Sequence, residues 1–417
     1  MDDARALFAG QRQEHLRAIL VAAALVGLVA VALRQPVLAV AGFAVALTLA
    51  VGLVWQRFGL VAVRYRRRFS QSRAFPGEEL WLELSVENNK LLPLPWLEVE
   101  DEFPADLAFP GLKLDPSPKP KTVVFHTLFS LRPYERVRRR YRLVATRRGY
   151  YRFSRVRLRT SDPFGLALAA REDTATDELI VYPAIEPLPA FGLPAKQPLG
   201  DRRPVRPLLD DPTRYRGVRP YAPGDLPRRI HWRATARTGE VQSKQFEQAA
   251  TPTLALFLDI NTFEHFWEGL DPEKLERAIS LCASLAAWAL EERYQVGLYV
   301  NAPRAGGERF IRLPPSRHPR QLQRILEALA LLVPYTGYRI ELLLGAEARL
   351  LPWGATIVVI TSVVSEALRR TLLALRQEGH AVTLLAVGVD PSLPALPGLT
   401  AYTIDGGGDG TVARHTA

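Results

Sequence analysis

The chain has 417 residues, of which 48% are hydrophobic, so it is long enough for two or three domains. Its net charge of +11 comes almost entirely from arginine, because only seven of the 54 basic residues are lysine; this favours partners that carry carboxylates or phosphates. The single cysteine, Cys282, excludes a disulfide framework and a thiolate metal site, and it predicts a reducing compartment.

Two uninterrupted apolar runs, residues 18–33 and 37–55, stand near the N-terminus and are separated only by Arg34, Gln35 and Pro36. Each is close to the roughly 20 residues that cross a bilayer, so residues 1–58 are predicted to form a transmembrane helical hairpin. A buried helical pair in a soluble protein is the alternative, but such a pair should have a polar face.

The arginines around this hairpin predict its orientation. Only Arg34 lies in the turn, whereas the flanks carry Arg5, Arg12, Arg17, Arg57, Arg64, Arg66, Arg67 and Arg68. The positive-inside rule then places both termini, and the rest of the chain, on the cytoplasmic side of the inner membrane. The run at 64–68 could also bind nucleic acid, but beside a membrane span it is more typical of a topology anchor that attracts anionic lipid.

Residues 59–183 have a different hydrophobic period. Apolar and polar residues alternate in several runs separated by Pro or Gly, which predicts half-buried antiparallel strands and an immunoglobulin-like β-sandwich. Eleven arginines alternate with apolar residues on the later strands, at positions 136, 138, 139, 140, 142, 147, 148, 152, 155, 157 and 159. We interpret them as a charged outer face; a docking surface for an acidic partner or lipid is the alternative.

Residues 251–403 alternate continuous apolar runs with amphipathic ones. The run "TLALFLD" ends at Asp259, and Asp271 with Pro272 marks the start of the next helix. Buried strands alternating with helices predict a doubly wound, mostly parallel sheet, whose ligands would lie at the carboxyl ends of the strands, near Asp259. The Gly-rich residues 404–417 are expected to be a flexible tail.

Residues 214–247, within a linker at 184–250, resemble the signature of the bacterial family known as domain of unknown function 58. The matching residues are Arg219, Tyr221, Gly224, Asp225, Arg229, Ile230, Trp232, Ala236 and Arg237. The stretch "SDPFGL" at residues 161–166 is similar to a second element of that family. The resemblance spans nearly the whole chain, and it implies paired membrane helices, a β-domain and a C-terminal domain similar to von Willebrand factor type A domains.

Type A domains often bind a divalent cation through an Asp-x-Ser-x-Ser motif, a threonine and a second aspartate. In this chain the first motif is Asp259, Asn261 and Phe263, the threonine position falls on Thr336, and Ser362 stands where the aspartate is expected. Phenylalanine cannot ligate, so the resemblance implies a degenerate Mg²⁺ site at most. No other cofactor is predicted.

Three classes of function fit these observations. The first, which we favour, is a membrane-anchored scaffold; the resemblance implies a MoxR-type AAA+ ATPase, or a transglutaminase-like membrane protein, as its partner. The second is an enzyme using Asp225, His231 or Asp259, although Asp225 lacks the second titratable group that acid-base work requires. The third is a nucleic-acid binder, for which the basic charge is the only support, so no nucleic acid is expected.

The arginine-rich signature itself predicts a structural clamp rather than a catalytic centre. Pro223 and Gly224 favour a turn that makes Asp225 the cap of the next segment. Asp225 could also accept bidentate pairs, with Trp232 supplying a surface for one guanidinium, and so join the β-domain to the C-terminal sheet. The candidate arginines for these pairs are Arg219, Arg228, Arg229 and Arg237.

Overall fold

The computed structural model describes residues 2–194, 198–199, 210–223, 225–248, 252–304, 310–335, 338–389, 399–404 and 412–415. The chain divides into two compact units, Met1–Tyr182 and Pro183–Ala417. The first contains two apolar helices and the β-rich domain, and the second contains the signature segment and a mixed α/β domain.

The first unit begins with helices α1 (Asp2–Ala32) and α2 (Pro36–Phe58), which form the predicted apolar hairpin. By length and composition, His15–Ala32 and Pro36–Phe58 could each cross a membrane. The two helices approach closely at a pair of glycines, because a Cβ on Gly42 would lie 2.8 Å from the backbone nitrogen and Cα of Gly27. Small residues at such crossings are typical of packed membrane helices.

The β-rich part of this unit contains two sheets that share one hydrophobic core. One sheet has the order β1-β3-β7 and is antiparallel, with strands β1 (Val63–Phe69), β3 (Glu79–Asn88) and β7 (Arg136–Val144). The other has the order β2-β9-β8-β4-β6-β5, and its pairs are antiparallel except that β2 runs parallel to β9. Its strands are β2 (Arg73–Ala74), β4 (Leu94–Pro104), β5 (Leu114–Pro116), β6 (Thr122–Leu131), β8 (Gly149–Ser161) and β9 (Leu168–Val181).

The antiparallel strands expected from the alternating pattern are therefore confirmed, whereas the immunoglobulin-like topology stays a prediction. The arginine run at residues 64–68 is not only a membrane flank, because it forms strand β1. Its alternation exposes Arg64, Arg66 and Arg68 and buries Tyr65 and Arg67 in the domain. The run therefore contributes to the fold of the β-domain as well as to its charge.

Buried Arg67 is part of a polar network between the two sheets. Its guanidinium lies 2.8 Å from Asp101 Oδ1 and 3.1 Å from Asp177 Oδ2, and the Tyr65 hydroxyl donates to Asp101 Oδ2 at 2.5 Å. Burial raises the pKa of Asp101 to about 7, against the opposing effect of Arg67. A buried carboxylate of this kind depends on its partners, since an unpaired charge in the interior is costly.

Several of the eleven arginines predicted to lie on an outer face pair there with glutamates of neighbouring strands. Arg136 contacts Glu87 at 2.9 Å, and Arg140 contacts Glu83 at the same distance. Much of the positive charge on this face is therefore balanced within the sheet. This agrees with the interpretation of these arginines as a charged outer face.

The second unit begins with a two-stranded antiparallel hairpin, β10 (Asp210–Pro220) and β11 (Gln242–Gln248), whose loop contains helix α3 (Trp232–Thr238). A seven-stranded sheet of order β14-β13-β12-β15-β16-β17-β18 follows. Its strands are β12 (Thr253–Leu258), β13 (Gln295–Val300), β14 (Ile311–Ser316), β15 (Thr356–Thr361), β16 (Ala381–Val387), β17 (Thr400–Ile404) and β18 (Val412–His415). The five inner strands are parallel, and the edge strands β14 and β18 are antiparallel to their neighbours.

Four helices pack against this sheet: α4 (Pro272–Glu291), α5 (Gln321–Ala330), α6 (Ile340–Glu347) and α7 (Glu366–Gln377). Helices α6 and α7 form a hydrophobic cluster with alternate strand residues such as Phe257 and Val359. Helix α4 contacts the same strands without joining that cluster, so it covers the opposite face. Cys282 lies in this helix and is fully buried, as its apolar pattern predicted.

Two features of this unit differ from the sequence expectation. Residues 412–415 of the expected flexible tail form β18, which pairs with β17 because the unpaired edge of β17 offers free backbone donors and acceptors. The linker at 184–250 contains the β10–β11 hairpin, whose mostly polar strands lack the apolar alternation that identifies a half-buried strand.

Candidate functional site

The signature segment occupies the end of the β10–β11 hairpin. Tyr221 N donates to Val241 O at 2.8 Å, and His231 N donates to Gln242 O at 2.8 Å, so both ends of the loop are tied to the start of β11. Ile230 forms a backbone bridge to Ser243. Gly224 lies outside the described residues. The remaining signature residues are therefore brought together at one end of the hairpin.

Asp225 closes a small turn within this loop. Its Oδ1 accepts a hydrogen bond from Arg219 at 2.5 Å, and its Oδ2 accepts one from Ala222 N at 3.1 Å. Its backbone is also held, because Asp225 N donates to Ala222 O and the Tyr221 hydroxyl donates to Asp225 O at 3.2 Å. The hydrogen bond from Arg219 holds the pKa of Asp225 below its usual range, so this carboxylate is ionised and fixed at neutral pH.

The expectation that Asp225 caps the next segment is wrong, because the short 3₁₀ helix that follows, Pro227–Arg229, has Leu226 at its N-cap and no side-chain cap. The N-cap of α3 is His231, whose Nδ1 accepts a hydrogen bond from Ala234 N at 3.1 Å. An imidazole with a lone pair facing a helix N-terminus serves the same purpose as the serine or aspartate usually found there. His231 therefore has a structural role at the start of α3, and this role does not require it to act as a base.

The clamp predicted for Asp225 is also smaller than expected, because Arg219 alone of the four candidate arginines is paired with it. Arg228 and Arg237 are exposed, as is Arg233, and none of the three forms an ion pair with any residue that the structure describes. Trp232 is 71% exposed, and within the described ranges no guanidinium lies over its ring. Ala236 is exposed on the same helix.

We expect Asp225→Asn to lower the melting temperature of the full chain at pH 7, because asparagine cannot form the charge-assisted bond to Arg219. The folded-state pKa of Asp225 is depressed, so the stability that it contributes is present above its unfolded pKa and is lost as the pH falls through the folded one. The melting temperatures of the two proteins should therefore converge towards acid. Glu292→Gln, which neutralises an exposed carboxylate elsewhere in this unit, is the control; an equal effect of both substitutions would contradict the turn-closing role.

A second polar site lies at the carboxyl ends of three parallel strands. Asp259 follows β12, Asn301 follows β13 and Thr361 ends β15, and all three are buried. Asp259 Oδ1 accepts hydrogen bonds from Asn261 N (3.1 Å), Asn261 Nδ2 (2.9 Å) and Asn301 Nδ2 (2.7 Å). Asp259 Oδ2 lies 2.9 Å from Thr361 Oγ1, and the two amides also donate to Tyr338 O.

These donors do not suit a divalent cation, which requires lone pairs rather than N–H groups around the carboxylate. The orientation of Asn301 is fixed, because its Oδ1 accepts from Ile260 N at 2.9 Å while its Nδ2 faces Asp259. The amide of Asn261 likewise directs its Nδ2 at two oxygen atoms. The residues present therefore do not fit the degenerate Mg²⁺ site that the resemblance implies. Thr336, its third residue, lies outside the described residues.

Burial raises the pKa of Asp259 to about 6, although the hydrogen bonds from Asn261, Asn301 and Thr361 favour its charged form. Sequence reasoning identified Asp259 and Asn261 but missed Asn301 and Thr361. Each of these stands at the end of a predicted apolar strand, and the carboxyl ends of parallel strands meet at one edge of the sheet. That rule could have assigned Asn301 and Thr361 to the same site as Asp259.

One further group of metal-ligating side chains lies on the β-domain. Glu98, Glu100 and His126 have ligand atoms within 4.8 Å of one another. Arg159 already binds Glu100 at 2.6 Å, so one carboxylate of the group is neutralised by a guanidinium. The group therefore forms part of the ion-pair pattern on the outer face of this sheet.

Together these features define a protein with two apolar helices, a β-rich domain and a mixed α/β domain that carries a tightly folded arginine-rich loop. Residues 217–414 match the family described as "Protein of unknown function DUF58". This part of the chain is therefore similar to a domain of that family, and the signature residues lie at the start of the matching region.

A curated relative matches over more than half of the chain. The Bacillus subtilis (strain 168) protein named "Uncharacterized protein YeaD" is 24% identical over 249 residues, which is 58% of this chain. The chain also spans 58% of the length of that relative.

Solved structures match over less than a third of the chain. The CARDB domain of the PF1109 protein from Pyrococcus furiosus is 14% identical, with a TM-score of 0.18, over 29% of this chain and 90% of that one. A non-cellulosomal cohesin from Archaeoglobus fulgidus is 10% identical, with a TM-score of 0.20, over 29% and 91%.

Proposed function

We propose that this chain is a membrane-anchored protein-interaction protein of the DUF58 family, in which the arginine-rich signature loop presents a docking surface. The observation that carries the proposal is the 71% exposure of Trp232 beside arginines that form no ion pair with any described residue, within the region that matches the family. Exposed tryptophan and arginine are the residues that most often dominate the energy of protein interfaces.

The anchor in this proposal is the α1–α2 hairpin, which spans the inner membrane twice, and the β-rich domain and the second unit lie on the cytoplasmic side. Its support is the length and apolar character of the two helices and the excess of arginine on their flanks. A reporter that fluoresces only in the cytoplasm should fluoresce when it is fused to the C-terminus. A phosphatase reporter that is active only in the periplasm should be inactive at the same position.

The C-terminal domain in this proposal is a doubly wound domain similar to von Willebrand factor type A domains, used for assembly without a metal ion. Its support is the parallel inner strands, the helices on both faces and the position of Asp259 at the carboxyl ends of those strands. In place of a cation, two asparagine amides neutralise part of the negative potential at Asp259.

The docking surface consists of Tyr221, Leu226, Arg228, Trp232 and Arg233, which are all exposed. We call these five residues the signature surface. The two hydrogen bonds from Tyr221 N and His231 N to the start of β11 hold the two halves of this surface at the same end of the hairpin. The surface combines one apolar side chain, two aromatic rings and two guanidinium groups that form no ion pair with any described residue. This combination suits a partner with a hydrophobic pocket ringed by carboxylates.

The family resemblance implies a MoxR-type AAA+ ATPase as this partner. We expect the full chain, solubilised in detergent, to capture that ATPase from lysate in at least one of the ATP, ADP and nucleotide-free states. Trp232→Ala should weaken the capture by about tenfold or more, as truncating a central interface residue does.

Trp353→Ala is the matched control, because Trp353 is 60% exposed in the same unit but lies outside the signature surface. Arg228→Glu with Arg233→Glu should slow association in a salt-dependent way if the partner surface is acidic. Equal binding by the Trp232→Ala and Trp353→Ala variants would refute the role of the signature surface. If the chain captures the ATPase in none of the three nucleotide states, that ATPase is not the partner.

A further inference from the structure

The "SDPFGL" stretch forms a rigid turn at the junction of β8 and β9. Asp162 is buried, and its two carboxylate oxygens accept hydrogen bonds from Phe164 N at 3.0 Å and Ala167 N at 2.6 Å. The backbone closes the same turn through Asp162 N to Ala167 O, and Gly165 has a φ of +73°, which favours glycine. The conformation of this loop is therefore fixed by its own residues.

The rigid turn packs against the last part of helix α2. A Cβ on Gly52 would lie 3.6 Å from Ala167 Cβ and 3.8 Å from the Asp162 carboxyl group. The exit of the helix is held to the same domain, because the Arg171 guanidinium donates to Leu60 O and Val63 O, both at 2.7 Å. The turn is therefore held at a fixed position along the axis of α2, beside Gly52.

That position lies within the apolar part of α2. Gly52 precedes Trp55, an aromatic residue of the kind enriched at membrane interfaces, by three residues, or about 4.5 Å of helix rise. Val54 is exposed on the helix surface in the protein, so a bilayer that covers the apolar residues of α2 must extend past position 54. The turn at Asp162–Ala167 is then beside the inner edge of the bilayer rather than in water.

The chemistry of the turn fits such a position. Pro163–Ala170 contains no charged residue, although the neighbouring strands are rich in arginine. Phe164, Leu166 and Leu168 are exposed, with Phe164 at 58%, while Asp162 is turned inwards and its carboxylate is satisfied. A rigid, uncharged loop with three exposed apolar side chains is suited to the boundary between headgroups and acyl chains.

We propose that the turn at residues 162–168 is a lipid-contacting element of the β-domain, which inserts Phe164, Leu166 and Leu168 into the bilayer surface next to α2. This inference rests on the proposed membrane-spanning role of the hairpin. The occupant of the apolar surface is lipid, because the surface continues the exposed apolar surface of α2. The loop thereby fixes the height of the β-domain on the membrane.

The test uses the full chain reconstituted in vesicles of phosphatidylethanolamine and phosphatidylglycerol that contain a nitroxide-labelled lipid. An environment-sensitive fluorophore is attached to a single introduced cysteine in Phe164→Cys, Leu166→Cys, Val45→Cys or Trp81→Cys. Native Cys282 is fully buried and will not compete for the label. Trp81 is 52% exposed, but it lies on β3 about 20 Å or more along the sheet from the end of α2.

We expect the lipid nitroxide to reduce the fluorescence at positions 164, 166 and 45 by about twofold or more, with no comparable loss at 81. Quenching at 45 without quenching at 164 and 166 would overturn the inference and leave the membrane hairpin intact. An absence of quenching at position 45 would overturn the hairpin proposal and the inference together. Equal quenching at 81 and 164 would overturn a specific role for this turn. The two loop variants report independently, so a folding defect in one does not decide the result.

Discussion

Arg67→Met should lower the free energy of unfolding of the full chain by about 3–5 kcal/mol, as removal of one partner from a buried ion pair commonly does. Arg67 and Asp101 are both completely buried side chains, and their contact of 2.8 Å joins the two sheets of the β-domain. Methionine fills most of the volume of the arginine stem but leaves Asp101 with the Tyr65 hydroxyl as its remaining contact in this network. Denaturant unfolding in detergent measures the loss.

The pH dependence of this loss distinguishes an electrostatic cause from a packing defect. The pKa of Asp101 is already raised to about 7 by burial, and removing Arg67 raises it further, so at acid pH the variant holds a neutral carboxyl group. The destabilisation should therefore shrink as the pH falls from 8 to 5. Arg66→Met, at an exposed position on the same strand, is the matched control and should change stability by less than about 0.5 kcal/mol. A loss that is independent of pH would contradict the unpaired-charge account.

The sequence predicted most of the regular elements for a physical reason. The hairpin, the alternating strands and the buried strands of the α/β domain each carry an unambiguous hydrophobic period. The network around Arg67 could not be predicted, because the period of a strand shows which face is buried but not which polar residue tolerates burial. Arg67 lies between Arg66 and Arg68 in sequence, but on the buried face of the strand its partners are Asp101 and Asp177, which are 34 and 110 residues away.

The candidate sites show the same limit. The position of Asp259 at a strand end follows from the fold class, but the identity of its partners depends on which strands are neighbours, and strand order is not local information. In the signature loop, proline and glycine predicted the turn, but they did not predict that the Asp225 carboxylate folds back onto this turn instead of capping the next segment. Asp225 is engaged with Arg219, and His231 directly precedes α3.

Asp259→Ala and Asp259→Asn should have very different effects on the free energy of unfolding. Alanine removes the acceptor of several buried donors from Asn261, Asn301 and Thr361, so we expect a loss of about 2–4 kcal/mol. Asparagine keeps one oxygen for the two amides and supplies an N–H to Thr361 Oγ1, while the Thr361 hydroxyl turns to Val363 O, 2.8 Å away. The asparagine variant should therefore keep every buried polar group satisfied.

The sign of the pH effect provides the sharper test. The folded-state pKa of Asp259, about 6, lies above that of an unfolded aspartate, so the wild type loses stability as the pH rises from about 4 to 6. Asp259→Asn carries no such titration, and its stability relative to the wild type should increase by up to about 3 kcal/mol over that range. Calorimetric titration with Mg²⁺ and with Ca²⁺ should give the same heats for the wild type as for Asp259→Asn. The reason is that the amides of Asn261 and Asn301 present N–H groups where a cation needs lone pairs. A wild type that alone binds and is stabilised by either ion would show that these amides rotate to ligate it, and that the site has the metal chemistry that the family resemblance implies.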